Sequence, residues 1–326
     1  MEVKALKFGG LTAKRPIVQG GMGVGVSLSS LAGNVAKCGG IGTISGVHPG
    51  YREADFKENP FRANLRAIGN ELEKAKEIAN GGIIGFNFMT VMNHYEEYVK
   101  EAIAAGADFI VSGAGLPVNL AKYAAGTRAA ILPIVSSARA LKLIVKQWQR
   151  ADRLPDAVVV EGPLAGGHLG YPYGHLVDGT FDTLEDSLVD VVDYVRELEE
   201  KNGVIIPVIA GGGVRSHADM ERLMALGASG VQVGTKFVAT EECDAAPAFK
   251  QAYLRSRKED VQLIESPVGL AARAIRNSFL EKVEKQGRIP VQRCYQCMNH
   301  CKQAETKYCI SQALIDAVQG REGLVF

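Results

Sequence analysis

The chain carries one tryptophan, no bias of charge and cysteine at only six of its 326 positions. Lys and Arg number 37 against 36 Asp and Glu, a net charge of +1. No basic field therefore draws nucleic acid or an anionic membrane surface, and no basic stripe alternates with aromatics. The opening MEVKALK lacks an apolar core and does not read as a secretory signal. The uncharged run 78–95 contains Asn80, Asn87, Thr90, Asn93 and His94, too polar a set to span a bilayer. A soluble, cytoplasmic protein is expected, and in that compartment disulfides are disfavoured.

Glycine is plentiful instead: 37 residues, gathered after apolar runs rather than in a low-complexity tract. The most informative case is 161–170, EGPLAGGHLG. It follows the β-branched run AVVV at 157–160, which reads as a buried strand. Glycines let the backbone approach a ligand closely, and His168 at the end of the turn is suited to moving protons near neutral pH. Two later segments repeat the grammar. PVIAGGGV at 207–214 runs into three glycines and then a helix start at Ser216 with Asp219 three residues on, a capping signature whose free amides would bind an anion. GVQVGTKF at 230–237 is an alternating strand ending in Gly234 and Thr235. Tight βα turns need no ligand, but three in order beside a histidine favour a phosphate grip of the kind built after strands seven and eight of a (β/α)8 barrel.

Eight strands are expected at 16–19, 41–45, 83–88, 109–112, 131–135, 157–161, 207–210 and 230–233. Helical patterns fall between them at 28–37, 64–79, 95–105, 117–124, 140–150, 184–200 and 217–226. Continuous apolar strands alternating with helices favour an α/β TIM (β/α)8 barrel, here with a C-terminal helical, cysteine-containing lid segment. The division expected is 1–240 for a cofactor-binding barrel and 241–326 for the C-terminal segment, with helices at 246–257, 270–285 and 311–318. Closing the barrel collects Gly21, Met22, Asn87, Glu161, Gly166, Gly167, Gly212, Gly213, Gln232, Gly234 and Thr235 at one face. This set suits a flat, phosphorylated cofactor: apolar atoms over the ring, amides and a carboxyl on its polar edge, backbone N–H groups on the phosphate. Arg273 and Arg276 are candidates to pair with a nucleotide phosphate or, as the stronger reading, with surface acids.

QGGM at 19–22, GFNF at 85–88, the AGGH of 165–168, AGGGV at 210–214 and VQVGT at 231–235 resemble the nitronate monooxygenase (2-nitropropane dioxygenase) family. That family shares its FMN-binding barrel with the type II enoyl-acyl-carrier-protein reductases. The resemblance runs from about residue 16 to 237, and more loosely to SPVG at 266–269. It implies FMN lined by Gly21, Met22, Asn87, Glu161, Gly166, Gly213, Gln232, Gly234 and Thr235, with His168 as the catalytic histidine. Glu161 stands where a glutamine is common. The implied activity is oxidation of alkyl nitronates with oxygen. The alternatives are an NAD(P)H-dependent flavin reductase acting on an enoyl thioester, or a flavin/iron–sulfur electron-transfer protein. The partner expected is a small-molecule substrate, with a homodimer among the admissible assemblies.

Four cysteines follow the barrel. Cys294, Cys297, Cys301 and Cys309 are spaced C-x2-C-x3-C-x7-C. On a helix the first three would share one face and a turn would bring in Cys309. Four thiolates suit a 4Fe–4S cluster or zinc, with His300 a spare ligand and the cluster favoured beside a flavin. Cys38 and Cys243 are expected as ordinary buried or partly buried thiols.

Overall fold

Alternation along one short strand shows how the sheet closes. Val158 and Val160 pack outward among the helices with Ile144, Val145, Leu188 and Val191, whereas Val159 turns inward with Val18, Ile41, Phe109, Leu132 and Ile209. A strand covered on both faces is apolar at every position, which is why it shows no polar alternation in sequence.

The computed structural model describes residues 4–298 and 301–326. Its strands are β1 (Leu6–Phe8), β2 (Leu11–Ala13), β3 (Ile17–Gln19), β4 (Ile41–Ser45), β5 (Ile83–Met89), β6 (Phe109–Gly113), β7 (Ala130–Val135), β8 (Val158–Glu161), β9 (Gly167–Leu169), β10 (Val208–Gly211), β11 (Gly230–Val233), β12 (Val261–Glu265) and β13 (Ala271–Ile275). β3 to β8, β10 and β11 form a closed barrel in which every neighbouring pair is parallel. This is the TIM barrel expected, and each of the eight expected strands is present within a residue or so of its bounds. The antiparallel hairpin β1–β2 packs Leu6 and Phe8 against the inward-facing barrel residues, with Phe8 edge-on to Phe109 at 6.1 Å between ring centroids. No helix among the described residues is long and apolar enough to cross a membrane.

Four of the helices between barrel strands are capped by side chains at their own N-termini. Asn59 Oδ1 accepts from Arg62 N at 3.2 Å ahead of Pro60, and Thr183 and Asp186 form a reciprocal capping box. The helix Ser29–Lys37 is different, because Leu28 at its cap has no side-chain acceptor. The backbone N–H groups of Leu28, Ser30 and Leu31 donate instead to the carboxylate of Asp244, at 2.8, 3.2 and 3.1 Å. Asp244→Ala strands three partly buried donors, so we expect a loss of about 2 kcal/mol in stability. Urea unfolding checks this; an unchanged midpoint would show that the clasp is dispensable.

After the barrel, the expected helices at 246–257 and 311–318 appear as Pro247–Arg255 and Ile310–Val318. The one at 270–285 does not. Its first part is β13, which pairs with β12 on one side and with β9, from the loop after β8, on the other. The helix begins only at Ser278–Gln286, where Asn277 Oδ1 caps Leu280 N at 3.1 Å. Alanine-rich AARAI favours a helix by composition, but two strand partners outweigh a weak local preference.

Candidate active site

The turns after the barrel strands meet at one rim, and several of the glycines there stand where a side chain would crowd its neighbours. A Cβ on Gly21 would stand 2.3 Å from Asn87 Cβ. One on Gly234 would meet Met22 Sδ at 3.4 Å, and one on Gly211 would meet Gln232 Cβ at 3.1 Å. Gly20 likewise abuts Gln232. Register places Glu161, Gly211 and Gln232 side by side across β8, β10 and β11, with Asn87 paired to Ser45 and Val111 further round. Gly212 and Gly213 adopt φ of +99° and +89°, a backbone open to glycine. Gly21, Met22, Asn87, Glu161, Gly212, Gly213, Gln232 and Gly234 are thus brought together. Thr235, exposed, opens the short helix Thr235–Val238, and Gly166 is exposed in the loop that precedes β9.

His168 lies on β9 rather than in the glycine turn, with Ala272 of β13 as its partner. That pairing was hidden in the sequence because the partner strand lies about a hundred residues away and β9 is only three residues long. The imidazole Nε2 is 2.8 Å from Ser266 Oγ, and the ring sits edge-on to Phe326 at 4.8 Å between centroids. Burial lowers the imidazole to about 4, so His168 is neutral at physiological pH. The Glu161 carboxyl is pushed the other way, up to about 7, by burial alone, with no cation or donor offsetting it. These groups are half-buried at the rim and are walled in by protein rather than closed off. A base and an acid with displaced pKa values at the C-terminal end of a barrel mark a site where protons move.

At the opening of the helix His217–Ala225, Ser216 Oγ accepts from Asp219 N at 3.1 Å, and the Asp219 carboxylate accepts from Arg215 N at 2.9 Å. Two expectations need correction. Arg273 is half-buried rather than a surface ion-pair residue; its Nη1 donates to the carbonyls of Pro163 at 2.5 Å and Ala165 at 3.0 Å, tying the loop after β8 to β13. Arg276, by contrast, pairs with Glu281 at the surface. Cys38 is exposed, whereas Cys243 is buried. Ser266 and Arg273 are the site residues that a sequence reading does not assign; SPVG at 266–269 was the only signal for the former.

The cysteine segment is not helical where it is described, so Cys294, Cys297 and Cys301 do not share a helix face. Pro290 and Gly287 interrupt helix formation just before it. His300 lies outside the described residues. Cys294, Cys297, Cys301 and Cys309 nevertheless line a common pocket. The metal expectation, iron–sulfur and zinc alike, finds no support: among the described residues no three His, Cys, Asp or Glu side chains are placed to hold a metal ion. Burial pushes the Cys297 thiol up to about 11, and the neighbouring thiols add to the shift.

A closed parallel barrel with a neutral histidine and converging glycine turns at its C-terminal rim defines a barrel enzyme. The chain belongs to the nitronate monooxygenase family, whose sequence profile matches residues 4–326, and it is an oxidoreductase. A Staphylococcus saprophyticus protein named "Probable nitronate monooxygenase" is 25% identical over 308 residues, covering 87% of this chain and 82% of that one. FabK from Thermotoga maritima superposes with a TM-score of 0.65 at 22% identity, over 94% of this chain and 92% of its own. Nitroalkane oxidase from Streptomyces ansochromogenes does so with a TM-score of 0.61 at 22% identity, over 82% and 78%. At these identities the two structures share the fold.

Proposed function

We propose that the chain binds FMN at this rim and oxidises alkyl nitronates with oxygen. The observation that carries the reading is His168, held neutral and anchored to Ser266 at 2.8 Å beside the converging glycine turns. The residues fit a flavin. Glu161 is a half-buried carboxyl whose side chain has no hydrogen-bond partner among the described residues, and would accept from a ring N–H. Asn87 and Gln232 present half-buried amides to the same edge, and Met22 supplies an apolar wall. Gly166, Gly167, Gly212, Gly213, Gly234 and Thr235 would bring backbone N–H groups, and the Thr235 hydroxyl, to the phosphate.

When bound, the flavin supplies a two-electron acceptor that oxygen can restore. The chain itself handles the proton. Where the neutral nitroalkane enters, His168 would accept the proton from the carbon alpha to the nitro group, leaving the negative charge on the nitro oxygens as the nitronate to be oxidised, and Ser266 keeps the ring from rotating while its hydroxyl can either give or accept at Nε2. Arg273 holds the 163–165 carbonyls, so the loop bearing Gly166 is set by β13. We read 1–240 as the FMN-binding unit and 241–326 as its cover, supported by the sheet that β9 shares with β12 and β13. The substrate is a small molecule, and a homodimer is compatible with this reading.

Purified protein should bleach its flavin anaerobically on addition of a propyl-2-nitronate, without NADH or NADPH. Bleaching by NADH or NADPH and none by the nitronate would replace this reading with an enoyl-thioester reductase.

A further inference from the structure

One aromatic ring at the rim takes no part in the proton chemistry. Phe326 stands edge-on to the His168 imidazole, with 4.8 Å between centroids and 69° between planes. Its Cδ2 and Cγ also lie over Gly167, 3.9 and 4.0 Å from where a Cβ on that residue would stand. The ring therefore covers the backbone of β9 and the imidazole together. Four elements hold the segment that delivers it. Asn277 Nδ2 donates to Gly323 O at 2.9 Å, Leu324 N to Ala313 O at 3.0 Å, and Ile275 N of β13 to Val325 O at 2.9 Å. The Tyr253 hydroxyl, from the helix Pro247–Arg255, donates to Phe326 O.

Burial separates Phe326 from its neighbours. Leu324 and Val325 are 0% and 6% exposed and carry the apolar anchoring, whereas Phe326 is only half-buried. The aromatic is thus the residue left at the rim. Around the imidazole, Nε2 is held by Ser266 Oγ and β13 runs alongside with Ala272 opposite. Ring centres 4.8 Å apart leave no room for a ligand atom between imidazole and phenyl, so a molecule that reaches His168 must pass beside Phe326. We propose that Phe326 is the specificity-determining wall of this site, its ring limiting the bulk of the alkyl group that can be brought to His168. The identity of that alkyl group rests on the nitronate reading; the wall does not. A phenyl ring offers no hydrogen-bonding group, so it favours a hydrocarbon chain beside it and disfavours polar substituents, which would lose their water there.

The test has two arms. In the first, anaerobic flavin reduction by ethyl nitronate and by hexyl-1-nitronate is followed in the wild type, Phe326→Ala and Phe326→Trp. The ratio of the two second-order rate constants, hexyl over ethyl, should rise about tenfold or more in the alanine variant and fall severalfold in the tryptophan variant, at equal flavin content. A weakened fold would slow both compounds and would not move the ratio in opposite directions. The second arm needs neither flavin nor substrate. Diethyl pyrocarbonate modifies the histidines near neutral pH, and peptide masses follow His168 against the exposed His175. His168 should react severalfold faster relative to His175 in Phe326→Ala than in the wild type. Unchanged ratios in the first arm, or unchanged His168 modification in the second, would each overturn the proposal. Wild-type flavin that no nitronate reduces would defeat the nitronate reading alone, and the modification rates then decide whether the wall stands.

Discussion

His168→Asn is expected to lower kcat/KM for a neutral nitroalkane by about 10²- to 10⁴-fold, the range for losing a positioned proton-transfer group. Flavin content should not change, because the residues read as lining the cofactor are untouched. The direction of the pKa shift adds a second, sharper expectation. A base lowered from 6.5 to about 4 is still deprotonated at pH 5, so the acid limb of the wild-type profile should fall near pH 4 rather than near 6.5. Stopped-flow reduction of the flavin across pH 4 to 8 reads both quantities. A loss under threefold, or an acid limb centred above pH 6, would remove His168 from the chemistry.

Glu161→Gln should stabilise the flavin-free protein, and do so only at the alkaline end. The folded carboxyl is raised from 4.5 to about 7 by burial. Between those values the folded state holds a proton that the unfolded chain has released, so stability declines as pH rises through the window. The cost is fully present above pH 7 and corresponds to up to about 3 kcal/mol. Glutamine removes the charge while keeping the shape, so the gain should be near that size at pH 8 and small at pH 4.5. Urea midpoints at the two pH values decide it. An equal gain at both would mean that packing, not ionisation, sets the cost.

The eight barrel strands could be read from sequence because each is short and mostly apolar and most run into glycine: Val158 to Val160 show the pattern at its plainest. The rim residues followed from closure, since strand ends in a barrel have nowhere else to go. What could not be read depends on distant partners. β9, β12 and β13 are three to five residues long and carry ordinary or helix-favouring side chains; only their mutual pairing makes them strands. Ser266 and Arg273 belong to that sheet or its turn, so their approach to His168 and to the 163–165 loop was hidden with it. The cysteine spacing was legible, but the coil that carries it was not, because helical faces were inferred from i, i+3 and i+7 positions where backbone hydrogen bonds never form.

The Asp244 clasp has a bearing on biosynthesis. A ribosome releases the Ser29–Lys37 segment when the carboxylate that completes it is still 200 residues from being polymerised. The nascent first βα unit must therefore wait, imperfectly terminated, until nearly three quarters of the polypeptide has emerged. Final annealing of the earliest-made part is thereby tied to arrival of the latest-made third, and truncated translation products would be left with a frayed opening that proteases can recognise.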